Sequence, residues 1–180
     1  PHIVFDNFFD PRALEVFENH WPSDADYSID TDFNRRSFYS SRFHQNEHLR
    51  HAIRPLESDI WMTFLGSIFH EFLPNRSLMF DYEFENGGLH ETFDGGYLGM
   101  HLDNLRHSKT GIRRVLNLVV YLSENISEAN NGVLELRNTV SDKICSIEPL
   151  FNRAVVFLVN EVGLHGAPIP FRKTALCQSR

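Results

Sequence analysis

The spacing of apolar positions changes character partway along the chain. Up to about residue 75 it is helical. Asp10-Pro11 reads as a helix start, with a capping side chain followed by proline at the first helical position, and Leu14 and Phe17 then fall three apart on one face. A second helix is predicted from about Glu57 to Phe72, because Ile60, Trp61, Phe64, Leu65, Ile68, Phe69 and Phe72 keep the same spacing; Leu73-Pro74-Asn75 stops it. After Leu78 the pattern shortens to alternating or β-rich runs. Strands are predicted near Leu78–Phe84, Gly88–Phe93, Tyr97–Leu102, Arg114–Leu122, Gly132–Leu136, Lys143–Ile147, Ala154–Val159 and Arg172–Cys177. Asn86-Gly87-Gly88, Asp94-Gly95-Gly96 and Asn130-Asn131-Gly132 mark turns between them.

Many short strands in succession imply a β-sandwich or barrel, with the early helices covering one face. The fold class expected is mainly β with N-terminal helices (α+β). At 180 residues one domain is expected, with a helical region over 1–75 and a β core over 76–180 meeting near Asn75. No internal repeat or low-complexity stretch interrupts it.

Composition narrows the function classes. Hydrophobic residues make up 42%, so the chain is neither disordered nor membrane-like, and 16 Phe predict an aromatic core. No apolar stretch reaches the roughly 20 residues a bilayer requires. Net charge is −7, and the pairs Arg35-Arg36 and Arg113-Arg114 are too short to form a nucleic-acid-binding face. Cys145 and Cys177 are far apart; with no secretory signal visible they read as reduced thiols in a cytoplasmic protein. The first residue is Pro1, so a missing leader or initiator segment would qualify that localisation. Neither membrane nor nucleic acid is expected as a partner, and the oligomeric state is open.

The chemistry concentrates around His101-Leu102-Asp103. In a strand, residues i and i+2 project to one face, so His101 and Asp103 would offer an imidazole and a carboxylate side by side. His165, between Gly163 and Gly166 beyond a predicted strand, is the best third ligand. Two His and one carboxylate leave coordination positions open, as in non-haem iron(II) oxygenases. The bare tripeptide also suits zinc, or a buried His donating to a carboxylate. Other constellations are weaker. His44, His48 and His51 would share a helix face but lack the His-Glu-x-x-His order of zinc peptidases, and read as a solvated helix. His70-Glu71 near a helix end reads as structural. No glycine-rich turn leads into Lys-Ser/Thr, and no Ser or Cys sits in a nucleophile elbow.

From Leu78 to Leu176 the chain resembles the prolyl-4-hydroxylase-like branch of the 2-oxoglutarate/iron(II) oxygenase superfamily. The matching pieces occur in order: Gly87-Gly88-Leu89-His90, Gly96-Tyr97-Leu98 leading to His101-Leu102-Asp103, Arg113 to Leu122, Gly132 to Leu136, Glu148 to Arg153, Phe157, His165-Gly166-Ala167-Pro168 and Arg172-Lys173-Thr174. The resemblance implies a double-stranded β-helix, a cupin-like jelly roll with helices packed on its major sheet. It implies Fe(2+) held by His101, Asp103 and His165, with 2-oxoglutarate and O2 as co-substrates and ascorbate as an accessory reductant. The implied reaction hydroxylates an unactivated C–H bond of a prolyl, other peptidyl or small-molecule substrate, releasing succinate and CO2.

The same resemblance assigns the co-substrate's far carboxylate to Arg172, whose planar guanidinium can make two parallel hydrogen bonds. Arg172 lies seven residues after His165, a shorter turn than the family usually has, and Lys173 is its competitor. Tyr121 is the family's hydroxyl donor to that carboxylate. By strand alternation Asn117 and Val119 share its face, with Leu134 as a further apolar wall. Tyr97 and Thr174 complete the co-substrate candidates. His90, Asn104 and Arg106 are candidates for contact with substrate. Two other readings stand beside this one: a cupin-like metal enzyme that does not use 2-oxoglutarate and so does not need Arg172, and a non-catalytic jelly-roll binding module. For the latter, the chain's ending is relevant. It stops at Arg180 without the aromatic-rich last strand of relatives, which implies a shorter strand or an incomplete C-terminus.

Overall fold

A computed structural model describes residues 1–23, 28–30, 35–39, 43, 45–74 and 77–174. Its strands are β1 (His2–Phe5), β2 (Ser28–Asp30), β3 (Arg35–Tyr39), β4 (Gly88–Thr92), β5 (Leu98–His101), β6 (Leu116–Val120), β7 (Leu134–Asn138), β8 (Ile144–Ile147), β9 (Ala154–Leu158) and β10 (Gly163–Ala167). Its helices are α1 (Pro11–Asn19), α2 (Glu47–Ile53) and α3 (Asp59–Ile68), with a 3-10 turn at Arg54–Glu57. The chain forms two compact units: Pro1–Phe8, Ile29–Arg36 and His90–Arg180 make one, and Phe9–Ser28 with Ser37–Leu89 the other.

In the first unit the longest uninterrupted apolar run, Ala154-Val155-Val156-Phe157-Leu158, is the central strand of a sheet. A run without polar alternation is what a strand buried on both faces requires. β9 pairs antiparallel with β1 on one side and β6 on the other. A second antiparallel sheet has the order β5-β10-β7-β8. Val155, Phe157 and Val159 from the first sheet meet Leu134 and Ile147 from the second in one buried cluster, with Val4, Leu105, Val119, Tyr121, Leu136 and Cys145 packed against it. Each large apolar side chain removed from water there contributes roughly 1.5–3 kcal/mol. The unit is thus mostly antiparallel β structure with an apolar layer between its sheets.

The second unit carries the helices. Asp10 caps α1, its Oδ1 accepting from the Arg12 and Ala13 amides at 2.8 and 3.1 Å. Asn46 caps α2 and Ser58 caps α3 in the same way. His48 and His51 lie exposed on α2, and the His48 ring stacks on His20 at 3.8 Å; His44 lies outside the described residues.

Several elements differ from the pattern-based expectation. α3 ends at Ile68, before the expected Phe72, where the His70 ring nitrogen engages the Ser67 carbonyl at 2.9 Å. Side chains that bond late carbonyls end helices this way. The expected strand Leu78–Phe84 is a turn region. Both Asp81 carboxylate oxygens accept backbone amides, from Glu83 at 3.0 Å and Glu85 at 2.9 Å, drawing those donors away from any ladder. β1, β2, β3 and β10 are strands that periodicity did not single out, and the first three fall in the stretch expected to be helical. Asn75 and Ala175–Cys177 lie outside the described residues.

Candidate metal centre

β5 and β10 run antiparallel with His101 directly opposite His165. Opposed residues put their side chains on the same sheet face, so the pairing alone brings the two imidazoles together. Their ring centroids are 4.3 Å apart. The face is the inner one: His165 also lies opposite Leu136 of β7, and its ring packs 4.8 Å from Phe157 of the other sheet. Asp103 lies two residues beyond the end of β5, not within the strand as its spacing had suggested, yet its carboxylate still turns inward. Oδ1 is 3.7 Å from His101 Nε2, and Oδ2 is 3.4 Å from His165 Nε2. One ligand atom from each of the three lies within 4.8 Å of the others.

Local backbone geometry prepares these side chains. The ladder shifts register between the His165–His101 and Ala167–Leu98 pairs, leaving an extra residue on β5. There the Gly99 carbonyl accepts the His101 Nδ1–H at 2.8 Å. That bond commits the proton to Nδ1 and leaves the Nε2 lone pair facing His165 and Asp103, the tautomer a metal ligand needs. β10 can approach this closely only because residue 166 is glycine: a Cβ there would lie 2.7 Å from the Leu98 carbonyl oxygen and 2.8 Å from that of Gly99. Burial holds the His165 pKa below the usual histidine value; Asp103 opposes this, and His101 and Arg114 reinforce it. The imidazole therefore stays neutral and able to donate its lone pair. Two imidazoles and a carboxylate suit a divalent cation. The His165 side chain is 10% exposed and that of His101 37%, so the cluster opens to solvent on the His101 side.

The other predicted residues fall into distinct places. Asn117, on β6 of the facing sheet, donates its side-chain amide to Asp103 Oδ2. Tyr121 follows β6 and packs against the core, and burial pushes its phenol pKa well above the ordinary tyrosine range, with the Arg153 charge partly opposing. Tyr97 precedes β5 at the surface, His90 is exposed on β4, and Asn104 and Arg106 are exposed just after Asp103. Thr174 Oγ1 accepts from Asn130 Nδ2 at 3.1 Å.

Arg172 is exposed and lies in an extended segment outside any regular ladder. Phe171 exchanges backbone hydrogen bonds with Gly95 and Gly96, both 2.8 Å, on one side of that segment. On the other side the Arg172 amide donates to the Asn130 carbonyl, and Asn130 Nδ2 donates to the Arg172 carbonyl, both 2.8 Å. Asn130 is fully buried, and its Oδ1 accepts from the Ser127 amide and hydroxyl. The Asn130-Asn131-Gly132 signal was read as a turn only, and no local pattern marks its first residue as a buried clamp. Gly166 and the Gly99 carbonyl also escaped sequence reasoning, although Gly166 stands beside the predicted ligand.

Comparison with known proteins agrees with this geometry. The sequence model of the family described as "2OG-Fe(II) oxygenase superfamily" matches residues 87–177, half of the chain. No curated protein sequence matches. Similar solved structures include a Pseudomonas putida prolyl-4-hydroxylase, 17% identical with a TM-score of 0.59, covering 96% of this chain and 92% of that one. A Trichoplax adhaerens prolyl hydroxylase, solved in complex with a hypoxia inducible factor oxygen degradation domain peptide fragment, is 17% identical with a TM-score of 0.63, covering 95% and 78%. A prolyl 4-hydroxylase from Phytophthora capsici is 19% identical with a TM-score of 0.59, covering 94% and 54%. At these identities the likeness is one of fold. The chain belongs to the 2OG-Fe(II) oxygenase superfamily, enzymes that use Fe(2+), 2-oxoglutarate and O2.

Proposed function

We propose that this protein is a 2-oxoglutarate-dependent hydroxylase acting on a peptidyl substrate, with a prolyl side chain as the foremost candidate, and that His101, Asp103 and His165 are its iron ligands. The observation that carries this reading is the inward cluster of two imidazoles and a carboxylate, its ligand atoms within 4.8 Å of one another. We read the two facing sheets as the halves of a double-stranded β-helix; their antiparallel orders β1-β9-β6 and β5-β10-β7-β8 are compatible with it. Prolyl hydroxylases among the solved structures of like fold favour the substrate class.

Iron(II) held there would supply the oxidising chemistry, coupled to conversion of 2-oxoglutarate to succinate and CO2. The chain's own residues do the rest. His101 presents Nε2 because Gly99 engages Nδ1, and Asn117 orients the Asp103 carboxylate. The Phe157 ring shields one side of His165. Arg172 is the proposed partner of the co-substrate's far carboxylate, since its backbone is pinned on both sides.

The test is anaerobic titration with Fe(II) or Mn(II), followed by succinate formation from 2-oxoglutarate in air. Metal should raise the thermal midpoint of the wild type by mass action and leave Asp103→Ala unmoved. Unchanged metal affinity in Asp103→Ala would sink the ligand assignment. Arg172→Ala should keep metal affinity and lose 2-oxoglutarate affinity. Normal co-substrate affinity in that variant would transfer the role to Lys173 or favour a metal enzyme of different chemistry.

A further inference from the structure

The stretch from Asn104 to Arg114 connects the proposed iron ligand Asp103 to β6, which carries Asn117. In a chain of net charge −7 it contains four cations, Arg106, Lys109, Arg113 and Arg114, and no acid. It is an ordered hairpin. The His107 amide donates to the Ile112 carbonyl and the Arg114 amide to the Leu105 carbonyl, both 2.9 Å. Gly111 supplies the positive φ of +68° at the turn, and His107 Nδ1 accepts the Lys109 and Thr110 amides. Its base is fixed: Leu105 packs on the core cluster, and the Val159 amide donates to the Val115 carbonyl at 2.9 Å.

The ordering sets two of these cations across from each other. Arg106 and Arg113 form the antiparallel bridge of this hairpin, and like charges placed opposite each other across two strands are destabilising. The two are kept in place by separate partners, Arg106 Nη1 donating to the Gly111 carbonyl at 2.9 Å and Arg113 Nη2 to Glu161 at 2.8 Å. Arg106 and Lys109 are exposed, as are the apolar Leu102 and Ile112, at 45% and 48%. Arg106 is three residues from Asp103, so their Cα atoms lie within about 11 Å of each other.

We infer that this hairpin selects an acidic peptide substrate, with Arg106 and Lys109 pairing carboxylates that flank the residue to be hydroxylated. The inference rests on the hydroxylase reading above and adds the charge of the substrate to it. A peptide fits better than a compact anion because cationic and apolar contacts are spread along a whole hairpin. Nucleic acid fits less well, since four cations on an acidic chain make no continuous basic face.

The test uses the full chain loaded with Mn(II) and 2-oxoglutarate, which binds without turnover. Short proline-containing peptides with flanking Glu, Gln or Lys are compared by fluorescence anisotropy, with an oligothymidylate as a further arm. The Glu-flanked peptide should bind about 10-fold tighter than the Gln-flanked one, and added salt should erode that advantage. Arg106→Glu combined with Lys109→Glu should abolish or reverse the preference; the milder Arg106→Gln with Lys109→Gln should reduce it, and serves if charge reversal impairs folding. Equal affinity for the three flanks, or tighter binding of the oligonucleotide than of the acidic peptide, would overturn the inference. Mn(II) titration without peptide reads the metal site separately. Failure there strikes the hydroxylase reading, whereas intact metal binding with no charge preference strikes only the hairpin.

Discussion

Asn117 shows how much a single residue can depend on what stands across from it. Strand alternation placed it on the inner face beside Val119 and Tyr121 and suggested a role toward the co-substrate. In the structure its amide engages the Asp103 carboxylate from the facing sheet. A hydrogen bond to one oxygen restrains the carboxylate's rotation, so in the proposed metal site Asn117 would be a positioning residue. Outer partners of metal ligands typically contribute 10–100-fold in affinity. Asn117→Ala should weaken Mn(II) binding by about 10-fold or more while leaving the circular dichroism spectrum intact, as read by calorimetric titration. At this scale the sequence was most legible where chemistry is carried by residue type. His101 and Asp103 stood out because an imidazole and a carboxylate two apart are informative wherever the backbone runs. Asn130, with uncharged chemistry and a turn-like neighbourhood, did not.

Among the elements, the β5–β10 pair does most to assemble the site, and two glycines in it behave differently. A Cβ at residue 166 would collide with backbone carbonyl oxygens that cannot give way, whereas one at Gly99 meets nothing within 4 Å. Gly166→Ala should therefore destabilise the protein by roughly 2–3 kcal/mol and lower metal affinity with it, because the strand carrying His165 must move. Gly99→Ala should stay within about 0.5 kcal/mol. Denaturant midpoints of the two variants, measured side by side, check the contrast. Six of the strands were legible from β-rich runs bounded by turns: β4 to β9 fall within or close to their expected ranges. The exceptions have local causes. Asp81 diverts backbone donors into a turn, and β1, β2, β3 and β10 are made strands by the partners they pair with rather than by any pattern of their own.

At the scale of the whole molecule, one ion pair joins residues 147 apart in sequence. Arg153, just before β9, grips Asp6, just past β1, through two hydrogen bonds of 2.6 and 3.1 Å. The Arg153 bond, with its positive charge, holds the Asp6 pKa below the ordinary value of 3.8. Because the folded-state value is the lower one, the pair's contribution is complete above 3.8 and is lost as the pH falls through the folded value. Asp6 is 58% exposed, so solvent screens the pair and its worth is about 1 kcal/mol or less. Urea midpoints of wild type and Asp6→Asn should differ at neutral pH and converge at acid pH; a constant offset would contradict the pairing. Among the described residues no helix is long and apolar enough to cross a membrane, in keeping with the interrupted apolar runs of the sequence.

By itself the sequence determined the chemical inventory: two imidazoles and a carboxylate as candidate ligands, a change from helical to strand periodicity, and a run of motifs ordered as in one oxygenase superfamily. These follow from residue type and spacing, which survive in one dimension. Only the tertiary structure decided that His165 lies opposite His101, that Asp103 turns inward from beyond its strand, and that Asn130 fixes the segment bearing Arg172. Each depends on contacts between segments distant along the chain, as in the register that joins the two histidines, 64 residues apart. Register is set by the packing of whole faces and by close approaches such as that at Gly166, not by any local run of residues.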